Sequence, residues 1–211
     1  MNITPTILCD DEVEFAHQWE RIKDLDLSVQ IDVADNTITP TQTILPTHLG
    51  KLTGPKPIFH LMTSTPDKYL EALLAYKPTK ILFHSDAMIN WPEWQKHFDV
   101  ADIGIAINPE VGIEAIEPFK DIVSEVMVMT VHPGSIGQPL IAENLDKIHD
   151  IKAQYPHLTV SVDGGINANN IRQVALAGAD IAYVGSAVVR AHDPKHAYRE
   201  LLKEGNEAER D

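Results

Sequence analysis

The sequence is poor in three features: cysteine, basic residues and long apolar runs. Cys9 is the one cysteine among 211 residues, which excludes a disulfide within the chain and is typical of a reducing compartment. The chain has 17 lysines and arginines against 31 aspartates and glutamates, so its formal charge is −14. It also lacks a basic cluster that would suit nucleic acid or an anionic membrane. No apolar run approaches membrane-spanning length, and the opening residues, MNITPTILCDDEVEF, lack the basic end and apolar core of a signal peptide. We expect a cytoplasmic protein that binds neither nucleic acid nor membrane.

Short apolar segments rich in β-branched residues recur along the chain, with helical patterns between them. Eight strands are predicted, at residues 3–8, 28–33, 57–62, 80–85, 102–107, 125–130, 158–163 and 181–185. The clearest helical patterns lie at 65–76, 140–155 and 167–178, and weaker ones, interrupted by proline, lie at 39–50 and 88–98. Strict alternation of strand and helix favours a parallel α/β sheet. Eight such units in this length fit a closed (β/α)₈ TIM barrel better than an open sheet.

Nothing in the sequence divides the chain. No linker, repeat or shift in composition interrupts residues 1–211, so we expect one barrel domain. Thr65 is predicted to cap the helix that begins at Pro66. The charged tail from Lys203, KEGNEAERD, is expected to fray.

Polar, titratable residues recur at the carboxyl ends of the predicted strands, where barrels of this kind gather their chemistry. They are Asp32, His60, His84, Asn108, His132 and Asp163. A single histidine in an apolar strand is usually a hydrogen-bonded core residue, and a single strand-end aspartate is often a helix cap. Convergence of several on one barrel mouth favours a site. Two acids on different strands could move protons on opposite faces of one carbon, and a divalent cation held by Asp and His would stabilise the intermediate charge.

Glycines follow the last three predicted strands. The glycine-rich positions are Gly134, Gly137, Gly164, Gly165 and Gly185, with Ser186 beside the last. Glycine in a short strand-to-helix turn commonly serves backbone geometry alone. Three consecutive loops of this kind can also direct several amide hydrogens at one phosphate, and the loops of the final strands are where barrels commonly hold that group. A phosphorylated small molecule is therefore the predicted ligand.

Taken in order, the motifs resemble those of the ribulose-phosphate 3-epimerase family from about Ile3 to about Pro194. The resemblance is carried by TPTIL, QIDVADNTITP, FHLMTSTPDKYL, ILFHSDA, GIAINPEVGIEAI, VMVMTVHPGSIGQPL, VDGGI and AGADIAYVGSA. It implies a barrel of the ribulose-phosphate-binding type that interconverts D-ribulose 5-phosphate and D-xylulose 5-phosphate, a step of the pentose phosphate pathway. It also implies a homo-oligomer and a divalent metal, usually zinc, iron or manganese, held by two histidines and two aspartates.

The resemblance also assigns roles to individual residues. Asp32 and Asp163 match the acid/base pair and two of the metal ligands, and His60 matches a third ligand. The phosphate-binding positions fall on Gly134, Gly137, Gly164, Gly165, Gly185 and Ser186, and the substrate-contacting hydroxyl near the start falls on Thr6. Further candidates are His84, His132, Met62 and Met129.

Several departures from the family pattern lie at the metal and over the sugar. Gln30 replaces the expected first histidine, and a neutral amide oxygen is a weaker ligand for a transition metal than imidazole. Ala34 replaces a methionine, and Asn36 replaces a glycine in a turn that asparagine can still adopt. Ile136 brings a β-branched side chain into the loop after the sixth strand and is expected to alter its backbone.

The sequence therefore leaves three hypotheses about function open. The leading one is an epimerase acting through two acids and a metal-stabilised enediolate. The second is a non-catalytic phosphosugar-binding barrel that has lost its metal, which the Gln30 and Ala34 changes motivate. The third is an epimerase for another ketose phosphate. Decarboxylation or aldol cleavage ranks last, because no strand end named above carries the lysine that such chemistry would call for.

Overall fold

A computed structural model shows a closed barrel of eight parallel strands, and it describes residues 1–25, 28–134 and 137–208. The strands are β1 Asn2–Ile7, β2 Val29–Ala34, β3 Pro57–Met62, β4 Lys80–His84, β5 Asp102–Ile107, β6 Glu125–Met129, β7 Thr159–Asp163 and β8 Ile181–Val184. Each strand pairs with the next along the chain, and β8 pairs with β1. All eight predicted strands are confirmed, with ends that differ by at most one residue.

The strands separate two layers of core. Side chains such as Ile31, Val33 and Phe59 point outwards and join the large cluster that packs under the helices. Alternate side chains point into the barrel, because successive residues of a strand face opposite sides. A smaller apolar cluster fills the interior: Ile58, Leu82, Ala106, Met127, Met129 and Tyr183. The predicted near-continuous apolar runs follow from burial of both faces.

The helices are shorter than the sequence pattern predicts. They are α1 Glu12–Ile22, α2 Leu70–Ala75, α3 Trp91–Trp94, α4 Asp146–Gln154, α5 Ile171–Leu176, α6 Ser186–Val189 and α7 Pro194–Ala208. Single 3₁₀ turns, at Pro46–His48 and Ile113–Ile116, stand after β2 and β5. The prediction that Thr65 caps a helix is wrong: its side chain makes no capping hydrogen bond, and Pro66–Tyr69 is a 3₁₀ turn that precedes α2. By contrast, Asp11 caps α1 by accepting a hydrogen bond from the Glu14 amide at 2.8 Å.

The expectation that the tail frays from Lys203 is also wrong as far as Ala208. Helix α7 continues to that residue, and its Leu201, Gly205 and Ala208 are buried. The terminal amine of Met1 donates to Asn206 Oδ1 at 3.2 Å, so the two ends of the chain meet on this helix. Residues 209–211 lie outside the described part of the tail. Within the described ranges, no helix is both long and apolar enough to cross a membrane.

A polar group closes the amino-terminal end of the barrel. Glu125 at the start of β6 is fully buried, and Lys80 at the start of β4 forms an ion pair with it. Ser161 and Tyr183 donate to Glu125 Oε1 at 2.6 and 3.0 Å. We call these four residues the floor network. A buried carboxylate is stable only when a counter-charge and hydrogen bonds replace its hydration, and the floor network supplies both.

Lys80→Met should lower the free energy of unfolding by about 3–5 kcal/mol, because it leaves the Glu125 charge buried without its counter-ion. Urea unfolding measures the loss, and the double variant Lys80→Met/Glu125→Gln should recover part of it. The matched control is Lys96→Met, which removes an exposed ion pair with Glu93 and should change little. A loss from Lys80→Met below about 1 kcal/mol would contradict the assigned role.

Candidate active site

A cavity of about 280 Å³ opens at the carboxyl ends of the strands. Its lining includes eleven residues named in the sequence analysis: Asp32, His60, Met62, Met129, Gly134, Gly137, Asp163, Gly164, Gly165, Gly185 and Ser186. The loops and strand ends that carry them are distant in sequence and meet because the barrel closes. Of the six strand-end residues predicted to converge, Asp32, His60 and Asp163 line this cavity, whereas His84, Asn108 and His132 do not.

The two acids face a common centre. Asp32 on β2 and Asp163 at the end of β7 are both buried, and the amide nitrogen of Gln30 lies between them. Gln30 Nε2 donates to Asp163 Oδ2 at 2.6 Å and to Asp32 Oδ1 at 3.0 Å. We call these two hydrogen bonds the Gln30 bridge. Gln30 and Asp32 point into the barrel together because they are two residues apart on one strand.

His60 completes a group suited to a cation. Its Nδ1 lies 3.0 Å from Asp32 Oδ1 and 3.6 Å from Asp163 Oδ2, and the possible ligand atoms of these three residues lie within 4.8 Å of one another. Ligand atoms 2.0–2.1 Å from a tetrahedral zinc ion are separated by roughly 3.3 Å. The donors are imidazole and carboxylate, which suit zinc, iron and manganese. Asp32, His60 and Asp163 therefore fit the metal that the family resemblance implies.

His84 on β4 contacts His60 on the neighbouring strand β3. The Nε2 atoms of the two rings lie 3.0 Å apart, so a single hydrogen links them, and the rings are stacked. Burial and the neighbouring His60 lower the pKa of His84 to about 3, so this ring is neutral. Asn108, at the end of β5, lies beside the far side of the ring. His84 thus touches His60 and is not part of the cavity lining.

Asp163 and His60 have perturbed pKa values. Burial and the charge of Asp32 raise the pKa of Asp163 to about 7, against opposing effects of His60 and Gln30. Burial alone would lower the pKa of His60, but the hydrogen bond and charge of Asp32, with the charge of Asp163, raise it. With a pKa of about 7, Asp163 can give or take a proton near neutral pH, as acid/base chemistry requires.

The opposite wall of the cavity is formed by the glycine-bearing loops. Gly164 and Gly165 have φ of 118° and 69°, in the region that favours glycine. A Cβ on Gly165 would lie 2.6 Å from the amide nitrogen of Leu140, and one on Gly164 would lie 2.4 Å from the Val131 side chain. These glycines let the loops after β6 and β7 pack directly together. The glycines among the lining residues have no side chain to fill this part of the cavity.

Besides His84, two predicted site residues do not line the cavity. His132 is exposed and forms an ion pair with Glu110 at 2.8 Å, so its side chain is turned to the surface. Thr6 on β1 is buried, and its hydroxyl oxygen has no hydrogen-bond partner. Neither belongs to the cavity lining. The prediction about Ile136 lies outside the described residues.

The loop after β2 is hydrogen-bonded to two other loops. Asn36 has φ of 64°, so the turn expected where the family carries glycine is confirmed. Asp35 accepts hydrogen bonds from Thr63 at 2.8 Å and Tyr69 at 3.1 Å, which attach this loop to the next one. Thr41 donates to the carbonyl oxygen of Gly134, which attaches it to the loop after β6.

Tyr183 and Asn167 line the cavity but were not singled out as site residues. Tyr183 connects the cavity to the floor network through its hydrogen bond with Glu125. Its place two residues before Gly185, on a strand of otherwise aliphatic residues, is a signal that could have drawn attention to it. Asn167 lies in the turn that precedes α5, where its side-chain oxygen accepts a hydrogen bond from the Asn169 amide at 2.9 Å.

Fold and site together define a (β/α)₈ barrel with a carboxylate-lined mouth and a glycine-rich wall. The sequence pattern of the ribulose-phosphate 3 epimerase family matches residues 2–189. The chain therefore belongs to the ribulose-phosphate 3-epimerase family, which places it among the isomerases that act on carbohydrates.

Curated relatives span nearly the whole chain. Ribulose-phosphate 3-epimerase of Schizosaccharomyces pombe is 29% identical over 208 residues, covering 92% of this chain and 89% of its own. The Escherichia coli K12 protein of the same name is 30% identical over 194 residues, 83% of either chain. That of Bacillus subtilis is 29% identical over 221 residues, covering 95% of this chain and 98% of its own.

Solved structures confirm the fold. KGPDC from Streptococcus mutans in complex with D-R5P superposes with a TM-score of 0.73 at 12% identity, covering 98% of both chains. The 3-hexulose-6-phosphate synthase from Salmonella typhimurium superposes with a TM-score of 0.68 at 15% identity, covering 99% of this chain and 100% of its own. At such identities the likeness concerns the barrel alone.

Asp35→Asn should destabilise the protein in a pH-dependent way. Burial alone would raise the pKa of Asp35, but hydrogen bonds from Lys68, Thr37, Thr63 and Tyr69 lower it to about 2. Because the folded-state pKa lies below the unfolded one, the carboxylate stabilises the fold above about pH 4, and this contribution is lost as the pH falls towards about 2.

Chemical denaturation at pH 7, 5, 4 and 3 measures this dependence. The difference in unfolding free energy between wild type and Asp35→Asn should be largest at pH 7 and shrink at the acid end. Asp10→Asn, at an exposed position, is the control. A difference that stays constant across this range would show that the charge of Asp35 does not stabilise the loop.

Proposed function

We propose that the chain interconverts D-ribulose 5-phosphate and D-xylulose 5-phosphate by moving a proton at C3. The observation that carries the proposal is the pair of buried acids on one cavity, Asp32 and Asp163, joined by the Gln30 bridge. Membership of the family supports a phosphosugar epimerase, and the geometry supports two-acid chemistry. A homo-oligomeric state and a cytoplasmic location remain predictions.

The two acids would exchange protons with opposite faces of the substrate. In one direction Asp32, as the carboxylate, removes the C3 proton, and Asp163 returns its own proton to the other face. In the reverse direction the two residues exchange roles. In either direction the substrate gives one proton to one acid and takes one proton from the other. The raised pKa of Asp163, about 7, supports a proton on this residue near neutral pH. Both side chains line the cavity, as the mechanism requires.

Asp32, His60 and Asp163 would hold the divalent cation, with zinc, iron or manganese implied by the family. When bound, the cation supplies positive charge that stabilises the negative charge developing on the substrate oxygens. His60 offers Nδ1 towards the acids only if its own hydrogen sits on Nε2, and His84 is placed 3.0 Å away to accept it. The histidine pair thus orients the imidazole.

The glycine-bearing wall would bind the phosphate. Gly134, Gly137, Gly164, Gly165, Gly185 and Ser186 line one side of the cavity. Amides in such loops, and those at the start of a helix such as α6, carry partial positive charge that suits an anion. This local charge allows an acidic chain to bind a phosphorylated sugar despite its formal charge of −14.

The assay follows from the proposal. Protein purified without a metal-affinity step is analysed for bound metals and then assayed with D-ribulose 5-phosphate, with zinc, manganese and ferrous iron each added. Formation of D-xylulose 5-phosphate with at least one cation is expected. No turnover with any of them, combined with tight binding of the sugar phosphate, would favour the non-catalytic barrel. Turnover of another ketose phosphate alone would favour the third hypothesis.

Asp163→Asn should lower turnover by about 10²-fold or more, because it removes a proton carrier from the pair. Steady-state kinetics measures the loss, and equilibrium binding of D-ribulose 5-phosphate shows whether the cavity survives. The control is Asp150→Asn, an exposed aspartate on α4. A near-normal rate for Asp163→Asn would contradict the assigned role.

A further inference from the structure

Gln30 has contacts that proton transfer alone does not explain. Its side chain is fully buried, its amide nitrogen contacts both acids, and its amide oxygen has no hydrogen-bond partner. We infer that Gln30 is a positioning residue that holds Asp32 and Asp163 together, and that a divalent cation must displace the Gln30 bridge in order to bind. The inference rests on the proposed function for the identity of the reacting acids.

The orientation of the Gln30 amide follows from the groups that it faces. A carboxylate can only accept, and an amide nitrogen has two hydrogens to donate, so one nitrogen serves both acids with charge-assisted hydrogen bonds. The reverse orientation would set the amide oxygen at similar distances, 2.6 and 3.0 Å, from two carboxylate oxygens. Three oxygen atoms would then meet with at most one hydrogen among them, on a protonated acid, whereas the amide nitrogen brings two hydrogens of its own. The unpartnered amide oxygen costs free energy, and the two bonds made by the nitrogen outweigh it.

A cation would need the same oxygen atoms that the Gln30 bridge occupies. Asp32 Oδ1 and Asp163 Oδ2 accept from Gln30, and they are also the oxygens that lie 3.0 and 3.6 Å from His60 Nδ1. The amide hydrogens are positively polarised, so they repel a cation placed among these ligand atoms. Cation binding therefore requires the amide to turn away, and two charge-assisted hydrogen bonds are lost.

The affinity for zinc distinguishes two roles for Gln30, as a hydrogen-bonded bridge between the acids or as a ligand of the metal. A catalytic zinc site needs three protein ligands and keeps one open position, and Asp32, His60 and Asp163 already supply three. If Gln30 serves mainly as a bridge, removing its amide strengthens zinc binding. If Gln30 were itself a ligand through its oxygen, removing the amide would weaken zinc binding. The two roles predict changes of opposite sign.

The test compares metal-free wild type with Gln30→Leu, a substitution of similar volume that neither donates nor accepts. Zinc affinity is measured by competition with a chromophoric chelator, without substrate. We expect Gln30→Leu to bind zinc about tenfold more tightly, from the loss of competing hydrogen bonds. The control is Gln18→Leu, which replaces a different buried glutamine, on α1. Both variants keep all the surface histidines, so zinc bound at the surface should be the same in both. Equal or weaker binding by Gln30→Leu, or no binding by either protein, overturns the inference.

A second measurement needs no variant. In the metal-free protein, the side-chain amide protons of Gln30 should resonate downfield in nuclear magnetic resonance spectra, as charge-assisted hydrogen bonds require. Saturating zinc should move them upfield. If zinc shifts the resonances of His60 and leaves those of Gln30 in place, the inference is overturned.

Neither readout involves turnover, so the inference and the proposed function fail separately. A chain that epimerises D-ribulose 5-phosphate but shows no change in zinc affinity refutes only the role of Gln30. A chain with the expected zinc and amide behaviour but no turnover refutes only the epimerase.

Discussion

Two carboxyl groups share one buried site in this barrel, and the polar arrangement at its mouth follows from that constraint. Bringing Asp32 and Asp163 together away from water is costly unless other groups replace the lost hydration. Gln30 and His60 do so from β2 and β3, where the inward-facing positions lie beside the acids. The raised pKa of Asp163 is the remaining cost, and under the proposed function it favours proton transfer near neutral pH.

The strands were predictable from the sequence, and the connections between them less so. Apolar runs such as PIFHLM and DIGIAI match β3 and β5 from end to end, because a strand buried on both faces leaves little choice of residue. Prolines shorten the connections after β2 and β4 into single turns or one-turn helices. The tail at Lys203 reads as polar, yet α7 buries Leu201 and Gly205 against the barrel. A long-range contact of that kind leaves only a weak local signal.

In the candidate site, too, some features could be predicted from the sequence and others could not. Asp32, His60 and Asp163 could be predicted because they lie in the carboxyl-terminal halves of their strands, which the closed sheet brings together around one mouth. The Gln30 bridge could not, since it depends on which amide atom faces two acids on β2 and β7. The place of Tyr183 in the cavity lining and the contact between His60 and His84 also depend on the register of the strands around the barrel. Where the family resemblance implies a histidine ligand, the structure places the Gln30 amide nitrogen between the two acids.

The packing beneath the acids has a further consequence. Leu82, Met127 and Tyr183 pack inside the barrel beneath the mouth, and all three are almost wholly buried. We expect hydrogen exchange between the acids and bulk water to run through the mouth of the cavity. Under the proposed function, a bound sugar that covers this opening would keep the abstracted hydrogen from exchanging with bulk water. Isotope carried in on the substrate would then be lost to water only as fast as the sugar leaves.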